Sequence, residues 1–66
     1  MKVLVNGEPE EWIDGITLAE LVAQRMRSSQ GVAAAVDGAV APRSTWDGVV
    51  LRDGQAIELL TAVQGG

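Results

Sequence analysis

Cysteine and histidine are both absent from these 66 residues, and that double absence constrains the fold more than any single motif. A chain of this size buries only about 60% of the surface it exposes when unfolded, so small domains commonly recruit disulfides or a metal. Neither is available here, because there is no thiol to cross-link and the usual nitrogen and sulfur ligands of a structural zinc are missing. The expectation is one domain held by its apolar core alone, which the 47% hydrophobic content makes feasible.

The same absences limit the chemistry. Without Cys or His, the common thiol nucleophile and the best general base near neutral pH are lost. Ser28, Ser29 and Ser44 have no base partner in the sequence, so no catalytic residue and no metal site is expected. Nine acids against five bases give a formal charge of −4, which disfavours nucleic acid as a partner, since phosphate contacts need clustered Lys and Arg. The opening "MKVLVNGEPE" is too poor in apolar residues for a signal-peptide core, and no stretch has the length of a membrane span. A soluble, cytoplasmic protein is expected.

Along the chain the hydrophobic period changes twice. In "KVLVNGEPEEWI", Val3 and Val5 alternate with Lys2 and Leu4 as in a strand. Asn6-Gly7 is a strong hairpin signal, because both central residues of a type I′ turn need positive φ. A second strand is expected through Glu10 to Ile13, with Trp12 and Ile13 on opposite faces and Pro9 marking an unpaired edge. In "DGITLAELVAQRMRSSQG" the period becomes helical. Thr17 and Glu20 have capping-box spacing after an Asp14-Gly15 turn, and Leu18, Leu21, Val22 and Met26 form one stripe. Arg25 and Arg27 are placed in the last turns, where cations favour the helix dipole, and Gly31 is the expected stop.

Extended structure returns in "VAAAVDGAVAP". The run Val32 to Val36 reads as a strand covered on both faces, Asp37-Gly38 as a second tight turn, and Ala39 to Ala41 as its partner strand, ended by Pro42. "RSTWDG" reads as irregular, with Trp46 over one end of the core. After a third turn at Asp53-Gly54 comes a last strand from Ala56 to Val63, with Ile57 and Leu59 on one face and Glu58, Leu60 and Ala62 on the other. The order is hairpin, helix, hairpin, connection, strand. One helix on one face of a mixed four- to five-stranded sheet makes a two-layer α+β domain. With the last strand inserted between the first and third, this is the ubiquitin-like β-grasp. The expected division is a β-grasp domain over residues 1–62 and a flexible C-terminal tail over 63–66.

That tail, "TAVQGG", closes the sequence on two glycines, and a free α-carboxylate is expected on the last of them. Glycines at a terminus also suit a frayed end. Together with "VNGEP", "DGITLAELV", "GVAAAVDGAVAPRSTW" and "LRDGQAIELL", however, they make a chain that resembles, from end to end, the ThiS family of sulfur carriers in thiamin biosynthesis. Trp12-Ile13 departs from the aliphatic residue, often with proline, that the family has there. Carriers for molybdopterin, cysteine synthesis or tRNA thiolation, and ubiquitin-like modifiers, share the fold and the terminal glycines, so they stand as alternatives.

The resemblance implies a protein cosubstrate and not an enzyme. The Gly66 α-carboxyl would be adenylated with ATP by a ThiF-like partner, which binds the nucleotide so that the carrier itself holds no cofactor. A persulfide donor such as a cysteine desulfurase system would convert the adenylate to a C-terminal thiocarboxylate, whose sulfur a ThiG-like thiazole synthase would use. Gly65, Gln64 and Val63 would thread Gly66 into the partner's site, since four extended residues reach at most about 13–14 Å and glycine allows the closest approach of backbone. Leu60, Glu58 and Ala62, on the outward side of the last strand, are the candidate docking residues, with Asp53 as a further acidic contact. The free protein is expected to be a monomer.

Overall fold

A computed structural model describes residues 1–61. Two hairpins flank one helix. Strands β1 (Lys2–Val5) and β2 (Glu8–Glu11) form the first hairpin, helix α1 spans Leu18–Arg25, and β3 (Val32–Val36) and β4 (Ala39–Ala41) form the second. A 3-10 helix over Arg43–Gly48 then leads to β5 (Ala56–Thr61). The sheet order is β2-β1-β5-β3-β4, with β5 parallel to β1 and antiparallel to β3. The last strand therefore lies at the centre, as expected, and the domain is a ubiquitin-like β-grasp.

Turn chemistry sets the hairpin registers. Asn6 and Gly7 have φ of 52° and 86°, and Asp37 and Gly38 have 51° and 85°, so both turns take the doubly positive geometry that matches strand twist. A two-residue turn at Asn6-Gly7 makes Val5 and Glu8 the closing pair. For that reason β2 begins at Glu8 and ends at Glu11, earlier than the expected Glu10 to Ile13. Trp12 continues the pairing outside the strand, donating its N–H to the Met1 carbonyl at 2.9 Å and accepting from the Met1 nitrogen at 2.8 Å. Its side chain is half-buried, whereas Ile13 has left the sheet and is 74% exposed. Pro9 sits on the edge strand, where its missing N–H breaks no ladder.

Helix α1 starts as the sequence requires. The Thr17 hydroxyl accepts from the Glu20 amide at 3.1 Å, and the Glu20 carboxylate accepts from the Thr17 amide at 2.9 Å. The Leu18 amide, left without a partner by helix geometry, donates to the Val49 carbonyl at 2.8 Å. The other end differs from the expectation. The helix stops at Arg25 with Met26 extended as its C-cap, so Arg27 lies beyond it, and Gly31, at φ 73°, turns the chain into β3. Eight residues of helix span about 12 Å, enough to cross the short strands beneath. Arg25 is drawn to the sheet as well as to the dipole, donating to the Glu10 carboxylate, which also accepts from the Trp12 indole at 3.0 Å.

The core is one cluster between helix and sheet: Val3, Val5, Ala34, Ile57 and Leu59 from the strands, Leu18, Leu21 and Val22 from the helix, and Ile16, Trp46 and Leu51 from the connections. Strand β3 is not covered on both faces as expected. Ala34 is buried but Ala33 is exposed, because the single helix covers only one side of the sheet. The segment RSTWDG is a 3-10 helix and not irregular; its Trp46 is buried, with Nε1 donating to the Ala41 carbonyl at 2.7 Å. No helix among the described residues is long and apolar enough to cross a membrane.

Candidate functional site

Everything expected to act at the C-terminus is carried by β5, so the anchoring of that strand comes first. On one side β3 pairs with it along its whole described length, from Val36 opposite Ile57 to Val32 opposite Thr61. On the other side β1 pairs only with Ala56 and Ile57 before turning away at Asn6. The Asn6 side chain takes over where the strand stops: its Oδ1 accepts the Leu59 N–H at 2.8 Å. The start of β5 is pinned by one carboxylate. Asp37 accepts the Ala56 amide at 2.9 Å and the Gln55 side-chain amide at 3.1 Å.

Register then decides which side chains share the uncovered face. Leu4 is opposite Ala56, Glu58 is opposite Ala35, Leu60 is opposite Ala33, and Ala35 is opposite Val40. Leu60 is 71% exposed and Val40 78%. Between them Ala33 and Ala35 are too small to fill the surface, which leaves a shallow apolar depression bordered by Glu58. Such a patch, apolar at the middle and polar at the rim, has the composition of an interface core.

The structure brings Leu60 and Glu58 together on this face. Ala62, Val63, Gln64, Gly65 and Gly66, the boundary placed after residue 62, and the expected reach of the last strand to Val63 lie outside the described residues. Asp53 does not join the patch, since it precedes β5 at the strand's other end and accepts the Lys2 amide at 2.7 Å. Val40, Ala33 and Ala35 escaped the sequence reading. Alternation assigns a face within one strand, but only the pairing of β3 with both β4 and β5 places these residues beside Leu60. The serines organise loops: the Ser28 hydroxyl oxygen accepts the Gln30 amide at 3.1 Å, and that of Ser29 accepts from the Arg43 guanidinium at 2.7 Å.

Known proteins place this arrangement in one family. The ThiS family model matches residues 3–66. Sulfur carrier protein ThiS of Escherichia coli K12 is 30% identical over 66 residues, with all of both chains covered. The crystal structure of the thiamine biosynthesis protein ThiS from Geobacter metallireducens superposes with a TM-score of 0.85 at 29% identity, again over the full length of both chains. The solution structure of a thiamine biosynthesis protein from the same organism gives 0.81 at 29% identity, covering all of this chain and 88% of the other. With a β-grasp whose central strand leads to the C-terminus, and a family match that runs through both terminal glycines, the chain belongs to the ThiS family.

Proposed function

We propose that this protein is a sulfur carrier for thiazole formation in thiamin biosynthesis, acting as a cosubstrate through the carboxylate of Gly66. The observation that carries the reading is the extent of the family match, which includes residues 63–66 as well as the folded body. The E. coli relative named a sulfur carrier is matched over its whole length too.

The chemistry follows from what a carboxylate lacks. The α-carboxyl of a peptide ionises at about 3.3–3.7, so at neutral pH it is an anion and a poor electrophile. Reaction with ATP in a ThiF-like partner forms an acyl adenylate and releases pyrophosphate. The terminal sulfur of a persulfide, supplied by a cysteine desulfurase system, attacks the acyl carbon and displaces AMP, giving an acyl disulfide. A second thiol of the partner cleaves the sulfur–sulfur bond, takes the oxidation as a disulfide and leaves the thiocarboxylate on Gly66. A ThiG-like thiazole synthase then receives the sulfur. Docking is assigned to the open face around Leu60, with Glu58 at its rim and Ala62 continuing toward the tail. Residues Val63 to Gly65 thread the terminus into the partner, since glycine admits the closest backbone approach.

Intact mass spectrometry tests the central step. Incubated with ATP, the adenylating enzyme and a persulfide donor, the protein should gain the mass of one sulfur in place of one oxygen. The Gly66→Ala protein, with a methyl beside the reacting carbonyl, should fold normally and gain it far more slowly. An unchanged mass for the native chain, with an enzyme shown active by pyrophosphate release on its own carrier, would overturn the reading.

A further inference from the structure

The basic side chains of this acidic protein are not distributed evenly. Lys2 pairs with Glu11 at 3.8 Å, and Arg25 pairs with Glu10. Arg27, Arg43 and Arg52 have no carboxylate within 4 Å among the described residues, and of these three Arg27 and Arg43 lie together. Both line one cleft, between the end of α1 and the 3-10 helix, whose apolar wall includes Met26 and Trp46. Arg43 is held by the Ser29 hydroxyl at 2.7 Å, a neutral acceptor that orients the guanidinium and leaves its charge uncompensated. Trp46 is fixed by its bond to the Ala41 carbonyl. One carboxylate, Asp47, also lines the cleft, so its formal balance is +1. That balance suits a singly charged anion better than a phosphate dianion, and the planar guanidinium fork matches a carboxylate.

The cleft also lies at the end of the molecule that matters for the tail. Val32, the β3 residue opposite Thr61, donates its N–H to the Ser29 carbonyl at 3.2 Å. The loop carrying Arg27 and Ser29 therefore sits beside the exit of β5. From Thr61 the five residues to Gly66 reach at most about 16–18 Å. A partner that engages Gly66 must bring its surface against this end of the body. We infer that the Arg27–Arg43 cleft receives an aspartate or glutamate side chain of the adenylating partner, as a second contact on the helix side in addition to the open sheet face. The inference rests on the sulfur-carrier reading.

Steady-state adenylation, followed as pyrophosphate release, tests the two separately. The Arg27→Gln/Arg43→Gln protein should show a KM for the carrier raised at least ~10-fold, the loss expected for one well-formed charged contact. Its kcat should hold, and its KM should depend less on salt than that of the native chain. The Trp46 indole N–H resonance reports whether the fold is kept. Arg27→Gln alone removes no hydrogen bond found among the described residues and should raise KM in the same direction. Arg52→Gln, at the other end of β5, should leave KM unchanged. Native-like KM in both cleft variants would overturn the inference and leave the carrier reading intact. An equal rise for Arg52→Gln would replace the site with general attraction, and a loss in kcat alone would move the arginines from docking to chemistry. No pyrophosphate from the native chain, with the enzyme active on its own carrier, would overturn the carrier reading and this inference with it.

Discussion

Asn6 occupies the left-handed region at φ 52° while its side chain completes the hydrogen bonding of β5 through Leu59. Leu59 is 4% exposed, so an amide left without an acceptor there is costly. Two substitutions separate the roles. Asn6→Gly keeps the turn, since glycine adopts positive φ freely, but removes the acceptor, and should cost about 1–3 kcal/mol in urea denaturation. Asn6→Asp retains both an acceptor and tolerance of positive φ and should lose much less. Amide exchange at Leu59 reads the bond directly. It should quicken in the glycine variant, and equal exchange rates would show that Asn6 matters only to the turn.

Helix α1 is short enough that its two ends and its buried face account for its existence. An isolated helix of eight residues is not stable in water, so packing of Leu18, Leu21 and Val22 has to supply what propensity cannot. Leu21→Ala should cost about 2–5 kcal/mol, a large share of the roughly 3–10 kcal/mol expected for a chain of this size. Thr17→Ala, which removes the reciprocal cap, should cost about 1 kcal/mol. Thermal melts that rank the two the other way would mean the helix is held by its end and not by its face. The Arg25–Glu10 pair is partly exposed, with side chains 37% and 22% accessible, and contributes at most about 1 kcal/mol. The start of this element was legible in the Thr17–Glu20 spacing. Its end was not, because Arg25 finds a partner on β2 and β3 needs the residues after it.

For the whole molecule, the division between a covered and an uncovered sheet face is the feature on which the proposed docking rests. Residues on the uncovered face contribute little to the core, so stability and partner recognition can be altered independently there. Leu60→Asp, at a position 71% exposed, should leave the melting temperature nearly unchanged, since surface substitutions usually fall within about 0.5 kcal/mol. It should nevertheless lower kcat/KM for adenylation by ~10-fold or more, as expected where a charge enters the middle of an apolar contact. Val40→Asp should act in the same direction. A variant with full activity would remove this face from the docking surface. The sequence also misjudged β3 at this scale: Val-Ala-Ala-Ala-Val is continuously apolar, yet one of its faces meets no second layer.

Local chemistry was sufficient for the parts of this protein that depend on neighbours in sequence. Positive φ at Asn6-Gly7 and Asp37-Gly38, the Thr17–Glu20 cap, the alternation of Ile57 and Leu59 with Glu58 and Leu60, and the order of the elements all follow from residues a few positions apart. The terminal Gly65-Gly66 is likewise a property of the chain itself. Tertiary structure decided what depends on distant partners. It closed β2 on β1 from Glu8, stopped α1 at Arg25, and gathered Val40, Ala33 and Ala35 around Leu60. It also brought Arg27 and Arg43 to one cleft near the exit of β5. Each of these outcomes is a long-range pairing, and sequence periodicity gives a residue its face without naming the strand or helix that will lie beside it.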